Sequence, residues 1–214
     1  MGESTSFEFP RLYPIADQGL LESRAIEAGR FAEELKAAGV MLLQYRNKVG
    51  EPDSVLWHAS VIWEIFDGTG CRLIMNDYAN LVKAAGFGGV HVGQGDLSPE
   101  DARRVVGVEG WVGVSTHNDE QVRIADATSA DYIAVGPVFA TATKLNAEPV
   151  IGLDGVRRAR GLTTKPIVAI GGITRANARS VVDAGADSVA VISGLFVDGE
   201  TVEKVVGDFL ELLR

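Results

Sequence analysis

The chain has 214 residues, 46% hydrophobic and 23% charged, with 29 acidic and 20 basic residues giving a formal net charge of −9. These values exclude a disordered or low-complexity chain, and the acidic balance argues against nucleic acid as a partner, whose binders carry a basic footprint. The length suits one domain, residues 1–214, able to bury roughly 70% of its unfolded surface without a disulfide or structural metal.

Residues 1–11 contain Glu3 and Glu8 and no apolar h-region, so they do not read as a signal peptide. The first apolar run covers 12–16, and a helical pattern over 22–38 follows, with Ile26, Phe31 and Leu35 at helical spacing and Gly39 as its stop. A second run at 40–45 leads to a helix over 54–66. Asp53 is a candidate cap there, and Trp57, Trp63 and Phe66 are expected in the core. The third run, 72–75, precedes a helix over 78–85. The fourth, 89–92, precedes one over 99–106 whose start is marked by Ser98-Pro99-Glu100: a capping serine, proline at the first helical position, then an acid in the first turn. The pattern continues with 111–114 and 118–127, then 132–135 and 153–159. It closes with 167–170 and 175–184, where Thr174 is a candidate cap, and with 188–192 and 201–213. The 25 glycines, about 12% of the chain against an average of about 7%, fall between these elements as turns do.

Short, often β-branched runs that are apolar on successive residues suit parallel strands covered on both faces. Eight of them alternating with eight helical segments indicate an α/β protein, a single compact (β/α)8 TIM barrel. A doubly wound open sheet usually has fewer strands, and no G-x-G-x-x-G follows the first strand. Cys71 stands alone, which rules out an internal disulfide framework and leads us to expect a reducing, cytoplasmic setting. No apolar stretch approaches the roughly 18 residues of a membrane span, so no membrane partner is expected.

A barrel of this kind does its chemistry on the loops after the strands. After the second strand stand Leu43-Gln44-Tyr45-Arg46-Asn47-Lys48, where alternation puts Gln44, Arg46 and Lys48 on one face. Two cations and an amide suit a pyrophosphate group; a solvated strand end is the plainer account. Asn76-Asp77 follows the third strand, and Gly93-Gln94-Gly95-Asp96 the fourth. Asp77 and Asp96 match the preference of Mg²⁺ for one or two carboxylates plus substrate phosphates, although aspartate also caps helices and forms turns. Ser115-Thr116-His117 follows the fifth strand, offering a polar contact and either an acid–base or a structural histidine.

After the sixth strand, Thr141-Ala142-Thr143-Lys144 brings two hydroxyls and an ammonium onto the longest loop, which runs to about Gly152 and could act as a lid. Gly171-Gly172 and Ile192-Ser193-Gly194 end the last two strands, the recurrent phosphate position of this fold, where glycine allows backbone amides to approach oxygens. His58 and Cys71 lack local partners and receive no catalytic role, and Gly113 reads as a site of close packing or access. Two anion sites are thus expected, one metal-assisted at strands two to four and one at strands six to eight.

In this order these pieces resemble the thiamine-phosphate synthase family from residue 12 nearly to the C-terminus, on Leu43 to Lys48, Asn76-Asp77, Gly89-Val90-His91-Val92-Gly93-Gln94 with Asp96, Gly136-Pro137-Val138-Phe139, Thr141 to Lys144, Ala169-Ile170-Gly171-Gly172-Ile173 and Val191-Ile192-Ser193. The resemblance implies a transferase that joins 4-amino-2-methyl-5-hydroxymethylpyrimidine diphosphate to a thiazole phosphate, giving thiamine phosphate and pyrophosphate. It implies that Gln44, Arg46, Lys48 and Asn76, with Tyr45 and Asn47 in the same run, serve the pyrimidine diphosphate. Asp77 and Asp96 would hold Mg²⁺, and Ser115 and Lys144 would contact the pyrimidine or its diphosphate. Thr141, Ala142 and Thr143, with Gly172, Ile192 and Ser193, would hold the thiazole phosphate. Arg46, Lys48, Ser115 and Lys144 would carry the catalysis.

Three positions depart from the family pattern: Asn47 replaces an acid, Tyr78 an arginine, which removes a positive charge near the diphosphate, and Ala140 a proline. Two other readings compete. A thiazole tautomerase-like relative would not expel pyrophosphate, and a non-catalytic barrel would only bind a phosphorylated ligand; retention of Arg46, Lys48, Asp77, Asp96 and Lys144 disfavours both.

Overall fold

All eight apolar runs form strands in a computed structural model, which describes residues 9–141 and 148–214. The strands are β1 (Leu12–Asp17), β2 (Leu42–Arg46), β3 (Arg72–Asn76), β4 (Gly89–Val92), β5 (Trp111–Thr116), β6 (Tyr132–Val135), β7 (Ile167–Ile170) and β8 (Ser188–Val191). Each pairs in parallel with the next, and β8 returns to β1, closing a barrel. Around it lie α1 (Gln18–Ser23), α2 (Ala28–Ala37), α3 (Pro52–Phe66), α4 (Pro99–Val106), α5 (Asp119–Asp126), α6 (Gly152–Arg160), α7 (Ala178–Asp183) and α8 (Val202–Leu212). Among the described residues no helix is long and apolar enough to cross a membrane.

The period of two along each strand divides the core into two layers. Leu43, Tyr45, Met75, Val90 and Ile133 face outward and pack with helical residues such as Phe31, Leu35, Ile62 and Phe209. Tyr13, Ile15, Leu42, Ile74, Tyr132 and Val168 fill the barrel interior. Phe9 stacks on Trp111 at 5.3 Å, at the N-terminal end of the strands, and so closes the end opposite the loops that follow them. Gly113 on β5 makes room for this filling: a Cβ there would lie 2.0 Å from the Tyr132 ring. Close packing, not access, is therefore its role.

Several local expectations need correction. The segment 22–38 is two helices, not one. Asp17 caps α1 by accepting from the Leu20 N–H at 3.0 Å; the chain then closes on the Leu21 carbonyl and passes through Ala25 at φ 55° before α2 begins. The end of α2 is as expected: Gly39 at φ 81° donates to Lys36 and Val40 to Leu35, the paired bonds of a Schellman stop. Residues 78–85 form only a 3₁₀ turn, Ala79–Leu81, because tight bonds from Tyr78 to Asn76 and from Ala79 to Asp77 turn the chain sharply after β3. Asp53 lies within the first turn of α3, which starts at Pro52, and α7 starts after Asn177, so neither Asp53 nor Thr174 is the cap. On α3 the buried positions are Val55, Ala59, Ile62 and Phe66; Trp57 and Trp63 fall off that stripe and are 64% and 38% exposed. Ser98 caps α4 as expected, accepting from the Asp101 N–H.

Candidate active site

The C-terminal strand ends open into a cavity of about 500 Å³. Its walls follow from register. The pairs Gln44↔Ile74, Asn76↔His91 and Ser115↔Ala134 set the inward side chains of successive strands at similar heights, so polar residues two apart along β2 and the following loop reach the same mouth.

Gln44, Arg46, Lys48, Asn76, Asp77 and Asp96 line one side. Arg46 is paired with Asp17, the α1 cap, and Lys48 with Asp77. Each cation is thus held by a carboxylate of the protein. Asp77 stands at φ 63°, a left-handed conformation that aspartate tolerates better than most residues, with its N–H bonded to the His91 carbonyl at 2.9 Å. Burial raises the Asp77 pKa, and the adjacent Asp96 adds to the rise against the pull of Lys48. For Asp96, partial burial works in the same direction, but Asp77, the Gly93 N–H at 2.8 Å and Lys48 together outweigh it and hold that carboxyl below its usual range. Two acids in mutual contact on neighbouring loops, one driven toward its proton, are what an oxygen-seeking divalent cation would relieve, so the donor set fits Mg²⁺. Among the described residues no group of three or more His, Cys, Asp or Glu side chains is placed to hold a metal ion. The Asn76 amide nitrogen is buried with no partner among the described residues.

Thr141, Gly171, Gly172, Ile192 and Ser193 line the other side. The chain after β6 runs alongside β7: Val138 donates to Ile170 at 2.9 Å and Phe139 to Gly171 at 3.0 Å, while Ile151 donates to Pro137 at 2.8 Å and so ties the base of the long loop. Gly171 and Gly172 have φ 104° and 64°, and a Cβ on Gly172 would lie 2.5 Å from the Ala140 carbonyl oxygen. Both the backbone conformation and the close approach therefore require glycine. Asn177 donates to the Gly172 carbonyl at 3.0 Å and steadies the turn. His117 lines the cavity with its Nδ1 2.8 Å from the Gly136 carbonyl, so that nitrogen carries the hydrogen and anchors the ring.

Of the residues expected to touch substrate, Tyr45 and Asn47 do not join the others. Alternation turns them outward: Tyr45 packs in the outer core, and Asn47 bonds Tyr45, Val49 and Gly50, shaping the loop that carries Lys48. Tyr78 bonds the Gly50 carbonyl at 3.4 Å and is not among the cavity-lining residues. Ala142, Thr143 and Lys144 lie outside the described residues. His58 bonds Ser54 and Gln18 away from the cavity, and burial pushes the Cys71 thiol up to about 12, an unreactive state.

Sequence reasoning missed Asp17, Tyr13 and Tyr132, and gave His91 no task. Tyr13, Tyr132 and His91 sit within apolar runs, where a strand reads as uniformly buried and the polar tips that point into a barrel give no periodic signal. Burial lowers the His91 pKa to about 4, so the ring is neutral at physiological pH. This fixes the sign of a pH effect. Between about 4 and the ordinary value of 6.5 the unfolded chain takes up a proton at His91 that the folded chain refuses, so the stability contributed by the neutral His91 ring is lost as pH falls through that window, and His91 takes no more from it below. At about 1.4 kcal/mol per unit the loss totals about 3 kcal/mol. Urea unfolding at pH 7, 5 and 4 should show this slope in the native chain and a shallower one in His91→Gln.

A parallel eight-strand barrel with paired carboxylates and cations facing glycine-rich loops across one mouth defines a (β/α)8 enzyme for small anionic substrates. Comparison with known proteins narrows the class. A family model described as thiamine monophosphate synthase matches residues 12–195. The chain is 52% identical over 213 residues to the thiamine-phosphate synthase of Koribacter versatilis, covering 99% of both chains. It is 41% identical over 185 residues to that of Chloroflexus aurantiacus, covering 86% of this chain and 84% of the relative. Its fold is similar to that of thiamine phosphate pyrophosphorylase from Pyrococcus furiosus, with a TM-score of 0.81, 27% identity and 95% of each chain covered. The chain belongs to the thiamine monophosphate synthase family.

Proposed function

We propose that this chain joins 4-amino-2-methyl-5-hydroxymethylpyrimidine diphosphate to 4-methyl-5-(2-phosphoethyl)thiazole, releasing pyrophosphate. The observation that carries the reading is that one cavity has Arg46, Lys48, Asp77 and Asp96 on one side and the Gly172 and Ser193 loops on the other, so two anions have separate places. Bound between Asp77 and Asp96, Mg²⁺ would supply charge neutralisation of the diphosphate.

In this reading the C–O bond to the exocyclic methylene breaks first, its electron pair leaving with the pyrophosphate, and the amino-substituted ring carries the positive charge. The thiazole nitrogen then donates its lone pair to form the C–N bond. That nitrogen holds no proton, so no general base is required. Arg46 and Lys48, exchanging Asp17 and Asp77 for diphosphate oxygens, and Lys144 would stabilise the departing group, while Gln44, Asn76 and Ser115 would orient the ring. Thr141, Gly172, Ile192 and Ser193, with Ala142 and Thr143, would hold the thiazole phosphate. A cytoplasmic location is part of the same reading, in keeping with a lone thiol held unreactive by burial.

The test is turnover with both substrates, with and without Mg²⁺, in the native chain and in His117→Gln. Metal-dependent pyrophosphate release is expected, with a loss of less than about tenfold in the variant because His117 acts as an anchor. Proton-transfer chemistry would instead cost about 10²–10⁴-fold at that position. A loss of that size, without pyrophosphate release, would favour a tautomerase.

A further inference from the structure

A chain of hydrogen bonds crosses the barrel beneath the cavity, linking β2, β1, β6, β4 and β5. Gln44 Nε2 donates to the Tyr13 hydroxyl at 3.0 Å, and the Tyr13 and Tyr132 hydroxyls are 2.9 Å apart. The Tyr132 hydroxyl is 3.1 Å from His91 Nδ1, and His91 Nε2 is 2.8 Å from Ser115 Oγ. Tyr13, Tyr132 and His91 are 1%, 0% and 7% exposed, so their polar atoms depend on one another for partners. We propose that Tyr13, Tyr132 and His91 are positioning residues that form a one-way relay, presenting Ser115 Oγ as a hydrogen-bond donor to the pyrimidine substrate. The inference rests on the reading of this cavity as the pyrimidine diphosphate site.

Counting hydrogens gives the direction. Tyr13 accepts from Gln44 and spends its one hydrogen on Tyr132. Tyr132 then spends its own on His91 Nδ1. A neutral imidazole that accepts at Nδ1 carries its hydrogen on Nε2, and that hydrogen goes to Ser115 Oγ. The serine hydrogen remains for the cavity, where the ring nitrogens and diphosphate oxygens of the pyrimidine substrate are acceptors. Run in reverse, the relay would consume the serine hydrogen at His91 and offer the substrate only lone pairs. Burial raises both phenol pKa values, which keeps the two hydroxyls as donors. The strand geometry serves the same arrangement, since the absence of a side chain at Gly113 leaves the space in which the Tyr132 ring lies.

Two measurements test this. In ¹⁵N NMR of the native chain without substrate, the His91 ring should carry its hydrogen on Nε2, and Tyr132→Phe, which keeps the ring and removes the hydroxyl, should shift it toward a mixture of tautomers. In turnover, Tyr132→Phe should lower kcat/KM for the pyrimidine diphosphate about three- to tenfold. The same change made in a Ser115→Ala background should cost nothing further, because the relay ends at that hydroxyl. A role in packing alone would give the same loss in both backgrounds and would overturn the proposal. So would a native His91 hydrogen on Nδ1, a result that requires no variant to fold. A native chain that fails to turn over would defeat the functional reading, and the tautomer would still decide the direction of the relay.

Discussion

Asp77→Asn should lower pyrophosphate release by about two orders of magnitude or more at low Mg²⁺, and Asp96→Asn by less, with partial recovery as Mg²⁺ is raised. Two facing carboxylates repel a diphosphate unless a cation lies between them, so their charges assist binding only through a metal. A 100-fold loss corresponds to about 2.7 kcal/mol, within the range of a charge-assisted contact made to a buried group. Asp77 is the more damaging position because it is the more buried acid and also the partner of Lys48. Its amide would leave the Lys48 ammonium without a carboxylate at that position. Mg²⁺ titration by calorimetry in the presence of pyrophosphate supplies a readout independent of turnover, and both variants should bind more weakly there. Full activity of the native chain in excess chelator would sink the metal assignment.

Arg46→Ala should raise KM for the pyrimidine diphosphate about 10- to 150-fold, the equivalent of about 1.5–3 kcal/mol for a charge-assisted contact, and leave KM for the thiazole phosphate nearly unchanged. Ser193→Ala should be milder and act on the thiazole phosphate, since backbone amides remain. The pairing of Arg46 with Asp17 adds a second consequence. Asp17 is 8% exposed, and removing its guanidinium strands a largely buried carboxylate, so Arg46→Ala should also unfold at lower temperature. Adding Asp17→Asn removes the stranded charge while its amide oxygen can still accept from the Leu20 N–H. The double variant should regain much of the lost stability and none of the lost affinity. If both single variants, Arg46→Ala and Ser193→Ala, shifted the same substrate equally, the division of the mouth into two anion sites would be wrong.

The barrel was legible because its evidence is local and repeated. Strand starts at 12, 72, 89, 111, 132, 167 and 188 coincide with the first residues of apolar runs, and α4 begins and ends where its serine, proline and valine indicate. Segments between strands were less legible. The break at Ala25 and the 3₁₀ turn after β3 depend on left-handed residues that are not glycine, and alanine and aspartate give no such warning in sequence. Trp57 and Trp63 lie off the buried stripe of α3 although their aromatic size suggests a core, because rotation about the helix axis decides which residues face it.

The site divides along the same line. Alternation along a strand is a property of the extended backbone, so the common face of Gln44 and Arg46 follows from their spacing of two and the sequence by itself determined it, whereas Lys48 stands past the end of β2 and reaches the same mouth through the loop. The same rule turns Tyr45 and Asn47 outward. Which carboxylate holds which cation is different. Asp17 meets Arg46 across a separation of 29 residues, and Tyr13 meets Tyr132 across 119, through the pairing of neighbouring strands and the closure of the barrel. Contacts of that range depend on the register of every strand between them and on the space left by residues such as Gly113. Only the tertiary structure decided that the polar tips hidden in the apolar runs meet one another beneath the cavity, because a buried polar group finds its partner in space and not along the chain.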